Sequence, residues 1–281
     1  MIETLNAVYA SLFLLLVAFG LAIIFGLMGV VNLAHGEFLM LGAYAALVTS
    51  NVLGQFWPSL IIAPLLAGAV ALVVERGLIR HLYRRPLETI LATWGLSIVL
   101  RQLVRAIAGP DFRNVPSPTP GAISLFGVDY PRYRLVVIII VLLVFAGLYI
   151  IQRTTSLGLI VRAVIQNPEL AATLGINVNR VYQATFVVGS GLAGIAGALL
   201  SPTVNVFPEM GPPFVISAFL VVLVGGLGSL PGLVVASLLL GTVQSLVSQY
   251  ENEVAGTVAL LVIAVLALRF LPEGLTRRLA N

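Results

Sequence analysis

RTTSLGLIVRAVIQNPELAATLGINVNR, residues 153–180, is the one long polar segment between blocks of sequence that are otherwise membrane-like. It reads as a built object. Asn167 is a good helix cap, Pro168 suits the first helical position, Glu169 sits near the positive helix end, and Gly175 can close the C-terminus. Together these signals predict a helix of about two turns. Leu170, Ala171 and Leu174 share one face of it by spacing. A short capped helix with a small apolar face, held between two spans, is suited to docking on another protein. A surface turn that merely links spans could carry the same residues.

The blocks on either side settle the class. The chain is 59% hydrophobic and 9% charged, with a mean hydropathy of +1.08. Soluble domains carry about 25% charged residues, so the sequence describes a polytopic membrane protein: an all-α transmembrane helical bundle forming one transmembrane domain over residues 1–281. There is no cysteine, which excludes disulfides, a thiol nucleophile and iron–sulfur ligation. All fifteen basic residues are Arg, and the net charge of +4 is ordinary for a membrane protein with cytoplasmic Arg. It does not argue for nucleic acid. The N-terminal MIETLNAVYA carries Glu3 and no basic residue, so the first apolar run is read as a retained span.

Working outward, apolar runs cover residues 8–31, 38–51, 60–78, 87–108 and 135–151 before the polar segment, and 181–200, 214–224, 233–247 and 254–271 after it. That predicts about eight or nine spans, depending on whether the short run 214–224 crosses. A proline-rich loop, residues 109–133, separates the fourth and fifth. Ser190/Gly194, Ala193/Gly197 and Gly194/Ala198 are small-xxx-small pairs that allow close helix approach in lipid. Arg76, Arg80, Arg84 and Arg85, then the Arg residues of 153–180, then Arg269, Arg277 and Arg278 form three clusters. Positive charge marks the cytoplasmic side, so the N-terminus is expected in the periplasm and the C-terminus in the cytoplasm. Arg113, Arg132 and Arg134 in the outer loop run against this pattern.

Two apolar runs are broken, near residues 30–37 and 225–232, one in each half of the chain. Paired broken segments are the best sequence pointer to a transport site. In NLAHGE, Asn32 can cap the next segment and place His35, Gly36 and Glu37 in its first turn. Polar groups at membrane depth line a cavity or pair within the protein, so Asn32, His35 and Glu37 are candidates for a polar pathway. A cap at the membrane surface is the plainer alternative. In LETILATWGLSIVLRQ, residues 87–102, Thr89, Thr93 and Ser97 recur at i, i+4 and i+8 and share a face. With Trp94 and Gln102 they form a second candidate lining for a small hydrogen-bonding solute. Ordinary hydroxyl contacts between helices are the alternative. GGLGSLPG, residues 225–232, combines close backbone approach with a helix-breaking Pro231. The chain has no Lys and no phosphate-loop motif, so it cannot itself bind ATP in that manner. Its two His residues are far apart and suggest no metal site. Nothing points to a catalytic residue.

Three stretches in this order, GLMGVVNLAHGEFLMLGAY, RAVIQNPELAATLGINVNRVY and FLVVLVGGLGSLPG, resemble the permease subunits of branched-chain amino acid type ABC importers. RRPLETILATWGLSIVLRQLVR and the NVPSP segment look most like the urea-permease branch. The resemblance implies a bacterial inner-membrane subunit with no cofactor of its own. It implies a second homologous permease, two cytoplasmic ATPase subunits that hydrolyse the ATP, and a periplasmic solute-binding protein as partners. It also makes Glu169, Leu170, Ala171, Ala172, Leu174 and Gly175 part of a cytoplasmic coupling loop that docks on an ATPase. Urea, a short amide or a branched-chain amino acid is then the expected solute. Rival readings are a passive channel needing no ATPase, an ion-coupled transporter and a purely structural subunit. Glu37, Glu75 and Glu88 all sit near predicted span ends, which speaks against ion coupling.

Overall fold

The computed structural model describes residues 2–83, 85–125, 127–226 and 229–270. Arg84, Arg277, Arg278 and Gly228, used above for orientation and for the second break, lie outside them. The helices are α1 (Ile2–Met28), α2 (His35–Leu53), α3 (Ser59–Gly77), α4 (Pro86–Ala108), α5 (Arg132–Thr154), α6 (Leu157–Gln166), α7 (Pro168–Thr173), α8 (Val178–Leu200), α9 (Pro212–Gly225), α10 (Leu230–Tyr250) and α11 (Glu253–Phe270). A 3-10 turn, Ile79–Leu82, joins α3 to α4. Among the described residues eight helices are long and apolar enough to cross a membrane, and α9 is a shorter apolar helix. The expected all-α bundle and its span count agree with this.

The bundle is organised around α8, on which α1, α2 and α3 all pack. Small residues make that convergence feasible. A Cβ on Gly189 would stand 2.6 Å from the Gly20 carbonyl of α1, and one on Gly194 would stand 2.8 Å from the Ala63 carbonyl of α3. A Cβ on Gly197 would run into the Leu39 carbonyl of α2. Lipid tails are as apolar as leucine, so helices in a membrane are held by such close packing and by polar links, and only weakly by hydrophobicity. The predicted small-xxx-small pairs of α8 are all buried in this contact.

Two connections carry structure that the sequence reading treated as loop. The segment 153–180 holds α6 as well as the capped α7. In the outer segment β1 (Ala122–Leu125) pairs antiparallel with β2 (Val128–Pro131) as a hairpin, with Ala122 opposite Pro131. Arg113 and Val206 exchange backbone hydrogen bonds of 2.9 and 2.7 Å, tying this segment to the connection between α8 and α9. These features mark one end of the bundle; α7 marks the other.

Candidate polar pathway and coupling site

The first break begins where α1 ends. Gly29 adopts φ +64, which glycine tolerates and other residues resist. The chain then turns back along the bundle before helix α2 starts. Asn32 does not cap α2; the position ahead of the helix is Ala34. Instead the Asn32 Oδ1 accepts from the Ala34 N–H at 3.1 Å, and its backbone carbonyl accepts from the His35 N–H at 3.2 Å. The asparagine closes a small turn that aims the chain into the helix.

That turn lies deep in the bundle. His35 Nε2 is 3.2 Å from the carbonyl of Val17, which belongs to the middle of α1. A carbonyl can only accept, so Nε2 carries the proton and Nδ1 of the neutral ring is left as an acceptor. Glu37 meets Ser97, in the middle of α4. Glu37 therefore stands at a helix end without standing at a membrane surface, and that part of the case against ion coupling does not hold.

Helix α4 faces this turn with hydroxyls. Thr93 Oγ1 accepts from the Leu33 N–H at 3.2 Å and lies 3.4 Å from the Val31 carbonyl. One turn further along, Ser97 Oγ donates to Glu37 Oε1 at 2.7 Å. Arg101 approaches the same oxygen at 3.4 Å, and Arg105 pairs with Glu209 at 3.4 Å. Burying a carboxylate is costly unless it is paired and hydrogen-bonded, and the hydroxyl and guanidinium supply both for Oε1. Among the described residues Glu37 Oε2, Asn32 Nδ2 and His35 Nδ1 are buried with no hydrogen-bond partner.

The remaining candidates separate. Thr89 is buried on the same face but belongs to the other end of α4, where its hydroxyl lies 2.8 Å from the Arg85 carbonyl and 3.1 Å from that of Leu82. Trp94 is 56% exposed, and Gln102 is exposed too. Neither shares the Thr93–Ser97 face. The physical reason is helix geometry: about 100° per residue turns Trp94 and Gln102 well away from it.

The α7 end is built as its residues foretell. Asn167 Oδ1 accepts from the N–H groups of Glu169 (3.1 Å) and Leu170 (2.9 Å), Pro168 opens the helix, and Gly175 sits at φ +86 just past its end. The expected shared face divides, however. Ala171 is buried with Leu27 and Val164, while Leu170 and Leu174 are 57% and 73% exposed. Ala171 anchors the helix to the bundle. Glu169, Leu170, Ala172, Leu174 and Gly175 remain at the surface.

The sequence reading passed over a buried knot near this end. Glu75 of α3 is fully buried. Its Oε1 accepts from Tyr83 Oη (2.6 Å) and Arg80 Nε (3.2 Å), and its Oε2 accepts from Arg80 Nη2 (3.2 Å) and Gln183 Nε2 of α8 (2.5 Å). Burial first, and then the neighbouring Glu75, push the Tyr83 phenol well above its usual range, so it stays a donor. The one available signal was an acidic residue beside a basic cluster, which reads as surface charge.

Against known proteins, the family described as "Branched-chain amino acid transport system / permease component" matches residues 4–268. The chain belongs to this permease family. High-affinity branched-chain amino acid transport system permease protein LivH of Escherichia coli K12 is 29% identical over 98% of this chain and 93% of its own length. BraD of Pseudomonas aeruginosa, a permease protein of the same kind of system, is 28% identical with the same coverage. LivM of Escherichia coli K12 is 26% identical over 89% of this chain and 64% of its own. The solved PsaBC from Streptococcus pneumoniae in complex with Fab shares the fold, with a TM-score of 0.52 at 14% identity over 98% of this chain and 94% of that one. The protein is thus a multi-pass ABC transporter permease of the branched-chain amino acid type and not itself an enzyme. Both breaks and the α7 segment lie inside the matched range.

Proposed function

We propose that this permease passes a small polar solute, urea or a short amide, along the seam between α4 and the 31–37 turn. Asn32, His35, Glu37, Thr93 and Ser97 line it, and Thr89 stands near the exit. The observation that supports this reading is the set of unpaired buried atoms at mid-bundle: a donor on Asn32 Nδ2 and acceptors on Glu37 Oε2 and His35 Nδ1. Urea presents N–H donors and a carbonyl acceptor, so it answers both kinds without needing a fixed opposite charge.

The single permease domain of residues 1–281, with its coupling segment 153–180, binds no cofactor of its own in this reading. Two ATPase subunits on the α7 side hydrolyse ATP, and one of them grips the exposed Glu169, Leu170, Ala172, Leu174 and Gly175. A second homologous permease completes the membrane part, and a periplasmic solute-binding protein delivers the solute at the hairpin end. The location is the bacterial inner membrane, with the N-terminus in the periplasm and the C-terminus in the cytoplasm. Arg76, Arg80, Arg85, Arg153, Arg162 and Arg180 flank the α7 end in the sense of the positive-inside rule.

A second reading takes branched-chain amino acids as the solute. The names of LivH and BraD favour it, and the Glu37–Arg101 pair offers one charge of each sign to a zwitterion. The deciding experiment reconstitutes the complete transporter in vesicles and compares ATP-dependent uptake of labelled urea, acetamide and leucine. Uptake of urea or acetamide without leucine supports the first solute, and the reverse supports the second. Equal movement of solute by the purified chain alone, without nucleotide, would overturn the ATP-driven reading altogether.

A further inference from the structure

We infer that the Glu75 knot is the joint that carries a displacement of α7 to α4, and so to the Thr93–Ser97 face of the pathway. The inference rests on the reading that α7 docks an ATPase. Its geometry begins at α7, which is fastened to the start of α8. The Ile176 N–H donates to the Ala171 carbonyl at 3.1 Å, and Asn177 caps α8 through the Arg180 N–H at 3.1 Å. Ala171, Ile176, Val178 and Tyr182 pack in one small apolar cluster. A push on α7 is therefore a push on the first turns of α8.

The second link leaves α8 at its next turn. Gln183 binds Glu75, and the Tyr182 ring meets the Tyr83 ring edge-on at 5.1 Å between centroids. Glu75 in turn holds Arg80 and Tyr83, which lie on and just past the 3-10 turn leading into α4. The Leu82 carbonyl of that turn is 3.1 Å from the Thr89 hydroxyl of α4. The end of α3, the 3-10 turn that follows it and the distant helix α8 thus meet on one carboxylate. Well-packed apolar side chains would hold them together at least as firmly. What directed hydrogen bonds add is resistance to rotation, so that the segments turn together.

The third link is α4 itself. Its nearest packing is on α2 and the 3-10 turn, and Leu87, Leu91, Trp94, Ile98, Leu103 and Ile107 are exposed. Apolar exposure in lipid exerts no pull on a neighbouring helix. The position of α4 is set by its buried face, where Leu100 and Val104 pack, and by its polar links: Thr93 and Ser97 to the 31–37 turn, the Arg101 and Arg105 ion pairs, and Thr89 to the turn that the Glu75 knot holds. Moving the knot moves one end of a helix whose middle lines the seam.

The test uses the complete transporter in vesicles. The chain has no cysteine, so Ile98→Cys on α4 and Val73→Cys on α3 are its only two labelling sites, and partner subunits cleared of cysteine leave that spin-label pair without background. Distances are measured without nucleotide and with ATP and vanadate. Uptake of urea and leucine is measured beside ATP hydrolysis. The parent transporter is expected to show a nucleotide-dependent distance change. Gln183→Met, and independently Tyr83→Phe, are expected to keep ATP hydrolysis but lose that change, with transport per ATP falling on the order of ten-fold, the scale of coupling between sites. Variants with the parent's distance change and transport per ATP would overturn the inference. So would variants in which assembly, hydrolysis and uptake fall in the same proportion, which is the behaviour of a structural brace. If the parent chain recruits no ATPase, the docking reading falls first and the inference with it.

Discussion

Residue chemistry concentrates on a few buried polar atoms. Thr93 bridges α4 to the backbone of the 31–37 turn, and Asn32 holds that turn in shape while leaving Nδ2 unpaired. Thr93→Val removes an acceptor for the Leu33 N–H, and Asn32→Ala removes both the turn bond and the free donor. Both variants are expected to lower uptake at normal expression; unchanged uptake by both would place the route elsewhere. Arg101 gives a different kind of prediction. Replacing it with Leu leaves Glu37 buried without its cation, and breaking such a pair is expected to cost about 3 kcal/mol. Arg101 is partly exposed, so the loss should be smaller in practice. Thermal denaturation in detergent should show Arg101→Leu unfolding earlier than the parent, and Glu37→Gln with Arg101→Leu recovering part of the difference.

Elements obey two different rules in this molecule. Helix α8 is defined by what it lacks: its glycines admit carbonyls of α1, α2 and α3 to distances where a side chain could not fit. Gly194→Leu should therefore force α3 away from α8, at a cost of about 1–3 kcal/mol or more. Lower yield of folded protein on size-exclusion chromatography would register it, and Gly95→Leu, at an open position of α4, serves as the control. Helix α7 is defined by its cap. Asn167→Ala removes both side-chain bonds to its first turn, worth about 1 kcal/mol in a helix this short. Recovery of the ATPase with the permease should fall while the permease itself stays folded, because Ala171 still anchors the segment.

For the whole molecule, orientation is the property with the widest consequence. The proposed arrangement sets α7 and the Glu75 knot inside and the hairpin outside. A reporter fused ahead of Ile2 should be active only in the periplasm, and one placed in the α6–α7 connection only in the cytoplasm. A cytoplasmic N-terminal signal would overturn this topology, and with it the docking of an ATPase on α7.

Much of this architecture was legible in the amino-acid order. Long apolar runs mark the spans, glycine marks both breaks and Pro231 the second, and Asn-Pro-Glu with a following Gly writes the α7 helix. Each of these signals acts over a few neighbouring residues, where backbone sterics and capping dominate. The wheel of α4 was legible too, for Gln102 lies five residues past Ser97, about 140° around the helix. What required the folded structure was which groups meet. His35 against Val17, Ser97 against Glu37, and Gln183 against Glu75 join residues far apart in the chain. The rotation of a helix in lipid is not announced by an apolar stripe, since both its faces are apolar. The depth of Glu37 was hidden for a related reason. A helix end is a local event, and only packing against the middles of α1 and α4 decides how far inside the membrane that end lies.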